Sequence, residues 1–274
     1  GYNLTQLLVG SEGTLGIVTK IVLKLITHPT HDMLMLVPFY KASDACAAVS
    51  EIFRAGIVPS GLEFMENDAL KLAQDFTQDF SISVTKNHEA HLLIEVDGFD
   101  PELLMSDCEK ILSVLEQFKT DEILFAEAEA QKQTLWNLRR KVGEAVKANS
   151  TYKEEDTVVP RYRLPELLDH VKKTGSKYGF NSICYGHAGD GNLHVNILKG
   201  NLSDEKWNNE LPIAIKELFT EVVKLGGTIS GEHGIGLVQK EYMPIAFPTV
   251  TINLMRSIKK TFDPNGILNP GKIF

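Results

Sequence analysis

Residues Gly186-His187-Ala188-Gly189-Asp190-Gly191-Asn192-Leu193-His194-Val195-Asn196 lie between two apolar runs, Ser182 to Tyr185 before them and Ile197-Leu198 after. An apolar run, a glycine-rich break containing Asp-Gly and a second apolar run predict a β-hairpin. With Asp190-Gly191 as the two central turn residues, Gly189 pairs with Asn192, Ala188 with Leu193 and His187 with His194. The two imidazoles then stand opposite each other with Cβ atoms about 5 Å apart. Alternation along the strands places Tyr185 and Asn196 on the same face. A longer loop would change this pairing. Two imidazoles held side by side by a rigid hairpin make half of a metal site.

The other half is expected in a second segment, Gly226 to Gly236, where five glycines in eleven positions surround Glu232-His233. So many glycines exceed what a turn needs and point to a backbone that closely approaches something else. Two histidines and one glutamate with an open position form a recognised layout for a catalytic metal. His187, His194 and Glu232 are therefore the candidate ligands, and His233 is left free as a base. The bland alternative treats each histidine as a satisfied structural residue and the glycine-rich segment as an ordinary loop. Matched residues in two separate segments favour the metal.

The 274 residues suffice for one large domain or two, with 43% hydrophobic and 23% charged content typical of globular proteins. A net charge of −8 and the lack of a basic block argue against nucleic-acid binding. No apolar run reaches membrane-spanning length, and the first residues do not read as a signal peptide. Cys46, Cys108 and Cys184 are scattered and read as reduced small hydrophobes, which fits a reducing, cytoplasmic setting. His88 and His91 read as surface or strand-edge residues.

Along the chain, the glycine-rich segment Gly10 to Val18 sits between Leu7-Leu8-Val9 and an alternating strand, Lys20 to Leu25. Such a segment either lays backbone N–H groups against a phosphate or is a plain hairpin. Strands are expected at Met33 to Phe39, Ser60 to Phe64, His91 to Val96, Glu122 to Phe125 and Thr157 to Pro160. Helices are expected at Ala42 to Arg54, Asp68 to Phe76, Asp100 to Phe118, Glu127 to Asn149, Leu164 to Tyr178, Asp204 to Leu225 and Thr249 to Phe262. Asp100-Pro101 opens its helix as N-cap and first residue. Leu135, Leu138, Val142 and Val146 mark the buried stripe of the longest helix, and Arg139 beside them reads as part of a solvated basic face. The pattern predicts an α+β fold, an antiparallel sheet with helices packed on one face and a helical C-terminal segment. No internal repeat or low-complexity tract is present.

Four segments together resemble the FAD-linked D-2-hydroxy-acid dehydrogenases, which include glycolate oxidase D subunits, cytochrome-type D-lactate dehydrogenases and D-2-hydroxyglutarate dehydrogenases. They are Gly1-Tyr2-Asn3-Leu4 with Gly10-Ser11-Glu12-Gly13-Thr14-Leu15-Gly16, then Gly186 to Asn196, Ser230 to Gly236, and Asp263 to Lys272. The resemblance runs the length of the chain. It implies a ferredoxin-like cap domain of the vanillyl-alcohol-oxidase type over residues 29–274. Residues 1–28 would be the last piece of an FAD-binding domain, and a final segment from about 245 would return to that domain. It also implies FAD along Gly10, Ser11, Glu12, Gly13, Thr14, Leu15, Gly16, Ile17 and Val18, with Asn269 nearby. His187, His194 and Glu232 match the family's metal ligands and His233 its catalytic base. Arg139 and Asn196 match substrate contacts, while Lys153 lies near a substrate-binding lysine but one place out of step.

The activity implied by the resemblance is oxidation of a small 2-hydroxy acid. Arg139 would hold the carboxylate through paired charge-assisted bonds. A divalent metal, zinc first with manganese or iron also suited, would acidify the hydroxyl. His233 would take the proton and FAD the hydride. The electron acceptor would be a cytochrome, a quinone or an electron-transfer flavoprotein, with a homodimer and peripheral membrane association left open. The isolated chain would bind metal and not turn over. The rivals are a metallohydrolase using the same His/His/Glu set and a non-catalytic module that has lost its chemistry. The hydrolase leaves Gly10 to Val18 and Asn269-Pro270-Gly271 without a role, and the complete His/Glu set speaks against the module.

Overall fold

Strand β1, His31–Phe39, carries an unbroken apolar run whose last six residues are all buried. A run without alternation belongs to a strand covered on both faces. The computed structural model describes residues 1–126 and 128–274. A short helix α1 (Leu4–Leu8) precedes β1, and after it come α2 (Ala42–Arg54), β2 (Gly61–Glu66) and α3 (Asn67–Thr77). The chain continues through β3 (Ala90–Gly98), α4 (Pro101–Leu115), β4 (Leu124–Ala126), α5 (Glu129–Asn149) and β5 (Tyr152–Val158). It ends with α6 (Leu164–Tyr178), β6 (Asn181–Gly186), β7 (Asn192–Leu198), α7 (Leu211–Lys224), α8 (Met243–Ala246) and α9 (Thr249–Phe262).

The seven strands form one sheet in the order β4-β1-β3-β2-β6-β7-β5, and every neighbouring pair is antiparallel. The α+β class and antiparallel sheet are as expected, but the helices cover both faces rather than one. Met35, Val37, Leu92, Ile94, Val195 and Ile197 face a core filled from α2, α4, α6 and α7. Leu34, Leu36, Leu93, Met65, Ile183 and Tyr185 face a second core filled from α3 and α5. The continuous apolar runs of β1 and β3 required this second layer, since one covering layer leaves alternate residues in water.

The Asp100 carboxylate accepts from the N–H groups of Glu102 and Leu103 at 2.9 and 3.4 Å, so the expected cap is present. Helix α5 begins two residues later than the pattern suggests, and Glu127 lies outside the described residues. The expected helix Asp204 to Leu225 is broken by a wide π-type turn over Lys206–Glu210, after which α7 starts with Pro212 in its first turn. Strand β5 begins at Tyr152, taking in Lys153-Glu154-Glu155-Asp156, which composition alone reads as a polar lead-in. Pairing with β7 overrides local preference there.

The expected strand Lys20 to Leu25 has no strand beside it among the described residues, and Val22 and Leu25 are 88% and 87% exposed. The hairpin reading of Leu7 to Leu25 is likewise replaced by α1 and a coiled segment. His88 and His91 are not at the surface: they are 5% and 1% exposed, packed edge to face. The three cysteines are free and buried. Among the described residues, no helix is long and apolar enough to cross a membrane.

Candidate functional site

The β6–β7 hairpin is two residues out of register with the expected tight turn. Tyr185 faces His194, and Ile183 faces Asn196. His187 to Gly191 instead form a wider loop in which the His187 carbonyl accepts from Asp190 and Asn192 at 2.9 and 3.2 Å. Gly191 closes this loop at φ 77°, and a Cβ there would lie 2.0 Å from the Val159 carbonyl oxygen. That contact leaves room only for glycine at this position. A slip of two residues preserves the face of every side chain, whereas a slip of one would reverse it. His187 and His194 therefore still share a face, their ring centroids 5.9 Å apart.

The Gly226 to Gly236 segment returns across this face. Thr228 bridges to Val158 at the end of β5. Gly231 passes so close that a Cβ would fall 2.1 Å from the Asn192 side-chain nitrogen. The expected close backbone approach is thus an approach to β5 and β7. Its anchor is Asp156, wholly buried on β5. One oxygen of Asp156 accepts from the backbone N–H groups of Glu232 and His233 at 2.7 and 2.8 Å. The other takes the Asn192 amide at 2.6 Å. Burial pushes the Asp156 carboxyl up, but these donors outweigh burial and hold it below the ordinary value.

Glu232 is thereby delivered between the two histidines. Its Oε1 lies 3.4 Å from His194 Nε2 and 3.7 Å from His187 Nε2. Two ligands about 2.1 Å from a shared ion at a tetrahedral angle stand roughly 3.4 Å apart, so this spacing suits a divalent cation. One donor atom from each of His187, His194 and Glu232 lies within 4.8 Å of the others, and so does one from each of Glu154, His194 and His233. His233 stacks on His194 with ring centroids 5.0 Å apart, and its Nε2 lies 4.0 Å from Glu232.

The two hairpin histidines sit in different electrostatic settings. The Glu63 carboxylate on β2 bonds His187 Nδ1 at 2.8 Å, raising the His187 pKa against the effect of burial. It also leaves Nε2 as the nitrogen that faces Glu232. His194 is buried, and desolvation is the largest cause lowering its pKa, to about 4. It is therefore neutral at physiological pH with a lone pair available. Its Nδ1 finds no hydrogen-bond partner among the described residues, the nearest carboxylates being Glu154 at 3.6 Å and Asp156 at 3.9 Å.

Arg139 is buried on α5, not part of a solvated face, while its neighbour Arg140 is exposed. Its Nε donates to Glu63 at 2.8 Å, and its Nη2 lies 2.6 Å from the same carboxylate. Burial raises the Glu63 pKa, and the bonds to His187 and Arg139 outweigh it and lower it overall. Asn196 is buried beside Tyr185 and Glu154, its carboxamide without a hydrogen-bond partner among the described residues. Lys153 is not brought to this site. Strand alternation turns it to the opposite face, where Nζ lies 5.8 Å from the Trp207 ring.

The Gly10 to Val18 segment meets both the Glu232-His233 loop and the C-terminus. The Glu12 carboxylate accepts from the N–H groups of Ile235 and Gly236 at 2.7 Å each, and its backbone carbonyl accepts from Asn269 at 2.6 Å. Leu8, Gly16, Val18 and Asn269 line a cavity of about 840 Å³ there. Sequence reasoning missed Glu63, Asp156 and Asn192. A lone acid inside the apolar strand Leu62-Glu63-Phe64 was the available signal for the first.

The chain matches the model of FAD linked oxidases, C-terminal domain, over residues 28–273. It is 33% identical over 277 residues to D-lactate dehydrogenase of Anaerostipes hadrus, covering all of this chain and 58% of that one. It is 34% identical over 275 residues to glycolate oxidase subunit GlcD of Bacillus subtilis, covering all of this chain and 57% of that one. The chain thus spans less than two thirds of these relatives. In fold it is similar to alkyldihydroxyacetonephosphate synthase, with a TM-score of 0.63 and 19% identity over 98% of this chain and 50% of that one. A family match from residue 28 to residue 273, on a sheet that gathers the histidine and glutamate motifs onto one face, means that this chain belongs to the FAD linked oxidases, as a C-terminal domain of that family.

Proposed function

We propose that the chain is the substrate- and metal-binding portion of an FAD-dependent enzyme that oxidises a D-2-hydroxy acid to the 2-oxo acid. The observation that carries this reading is the convergence of His187, His194 and Glu232 within 4.8 Å of one another, beside a free imidazole and a buried arginine. A divalent metal held by His187, His194 and Glu232 would lower the pKa of the substrate hydroxyl, and FAD would accept hydride from the adjacent carbon.

This chain's own residues do the rest. Arg139 attracts the substrate carboxylate, and because Glu63 already occupies its Nε edge, its remaining N–H groups serve the ligand. Asn196 offers an amide with unused donor and acceptor capacity to a hydroxyl or carboxylate oxygen. His233, 45% exposed and held by its backbone on Asp156, takes the hydroxyl proton. Neutral His194 presents a lone pair without first shedding a proton, while Glu63 bonds His187 at Nδ1 and leaves its Nε2 facing Glu232. Gly10 to Val18 and Asn269 are assigned to the flavin side.

The test is a steady-state screen of glycolate, D-lactate and D-2-hydroxyglutarate against the full-length flavoprotein, with elemental analysis of the same sample. Oxidation of one of these acids, lost together with stoichiometric metal in His194→Ala, is expected. Full activity in a metal-free preparation would overturn the metal assignment, and ester or peptide hydrolysis without flavin would overturn the oxidoreductase reading.

A further inference from the structure

Glu232 and His233 are suspended between two carboxylates from distant parts of the chain. Asp156 takes the backbone N–H groups of Glu232 and His233 themselves. Glu12 takes the N–H groups of Ile235 and Gly236, one on each oxygen and both at 2.7 Å. Gly234, at φ 84°, lies flat against the Glu12 carboxylate, and a Cβ there would fall 2.9 Å from its Cδ. The Glu12 backbone sits in the left-handed region at φ 50°, where a residue other than glycine is held against its backbone preference. The Asn269 amide fixes its carbonyl at 2.6 Å, and the Gly236 carbonyl accepts from Ile273 at 2.9 Å. One residue therefore joins the Gly10 to Val18 segment, the Glu232-His233 loop and the C-terminal segment.

We propose that Glu12 is a positioning residue that sets where Glu232 and His233 sit relative to the Gly10 to Val18 segment. This rests on the reading of Glu232 as a ligand and of His233 as a base. The chemistry of the contact supports positioning over bulk stability. Glu12 is only partly buried, so water can satisfy Ile235 and Gly236 if the carboxylate is removed, and the fold keeps its hydrogen bonds. Water cannot replace the covalent tie between that carboxylate and the Gly10 to Val18 backbone. What is lost is the distance between two segments, to which a ligand and a proton acceptor are both sensitive. Without Glu12 the loop keeps Asp156 at Glu232 and His233 and Ile273 at the Gly236 carbonyl, and loses its tie to the Gly10 to Val18 segment.

The experiment compares the intact chain with Glu12→Gln and Glu12→Ala by amide hydrogen exchange and by Mn2+ affinity. The β1 and β3 amides serve as the internal reference. Glu12→Ala is expected to speed exchange across residues 232–236 about tenfold and to weaken Mn2+ binding about tenfold, with sheet exchange unchanged. Glu12→Gln keeps one accepting oxygen and is expected to fall between wild type and Glu12→Ala. Unchanged exchange at 232–236 in Glu12→Ala overturns the proposal, as does equal loosening of the sheet, which would make Glu12 a residue of general stability. Faster loop exchange with undiminished Mn2+ affinity overturns it too. If wild type binds no Mn2+, the ligand reading of Glu232 fails, and the exchange pattern alone decides the role of Glu12.

Discussion

Replacing Glu63 by glutamine removes one charge from a carboxylate that serves two partners. Its Oε1 bonds His187 Nδ1 at 2.8 Å and its Oε2 bonds Arg139 Nε at 2.8 Å. Both side chains of the arginine pair are about nine-tenths buried. A glutamine has one oxygen and one NH2, so whichever way the amide turns, one of the two donors faces another donor. Truncating one member of a buried ion pair costs about 3–5 kcal/mol. Glutamine keeps the shape and one acceptor, so about 2 kcal/mol is expected, which lowers Tm by about 4–8 °C in a chain of this size. Loss of the group behind His187 should weaken divalent-metal binding by about 10–100-fold. The sign of the pH effect follows from the lowered Glu63 pKa. Its stabilisation is complete above the unfolded carboxylate value near pH 4.3 and is lost as pH falls through the lower folded value. Calorimetric melts at pH 7 and across that acid window, with Mn2+ titrations, provide the assay. A Glu63→Gln protein that melts within 1 °C of wild type and binds Mn2+ within twofold would refute the reasoning.

Three further outcomes are expected. Asp156→Asn should be much milder than Asp156→Ala, by about 2 kcal/mol in melts, because the Asn192 amide can turn its unpartnered oxygen towards the new NH2 while the new oxygen keeps Glu232 and His233; equal losses would refute this. Glu155 is buried and its pKa is raised to about 7, so the folded state keeps a proton that the unfolded chain releases, and stability falls as pH rises from about 4.5 to 7. Glu155→Gln should remove that fall and stabilise by about 3 kcal/mol at pH 8 with no gain at pH 4, read by melts at both values. The isolated 274 residues should bind Mn2+ and lose it in His194→Ala, yet reduce no dye with a 2-hydroxy acid; dye reduction by this chain alone would show that it carries the hydride acceptor.

The pattern of residues was enough to predict the α+β class, the capped helix at Asp100 and the hairpin bearing His187 and His194. Each depends on neighbours a few places apart, where hydrophobic period and turn chemistry act. The match in face between His187 and His194 survived a wrong register because side chains repeat every two residues. Three features were decided only when distant segments met. Arg139 looks like one member of a basic surface cluster until α5 packs on the sheet and Glu63, 76 positions away, neutralises it. Lys153 reads as a candidate substrate contact until pairing with β7 turns it to the face opposite Glu154 and the site. Asp156 reads as the end of a polar lead-in until β5 is buried and its carboxylate becomes the anchor of a loop 76 residues downstream. Local order along a chain specifies which way side chains alternate, but the partner of a buried charge is set by packing between segments that no short-range pattern links.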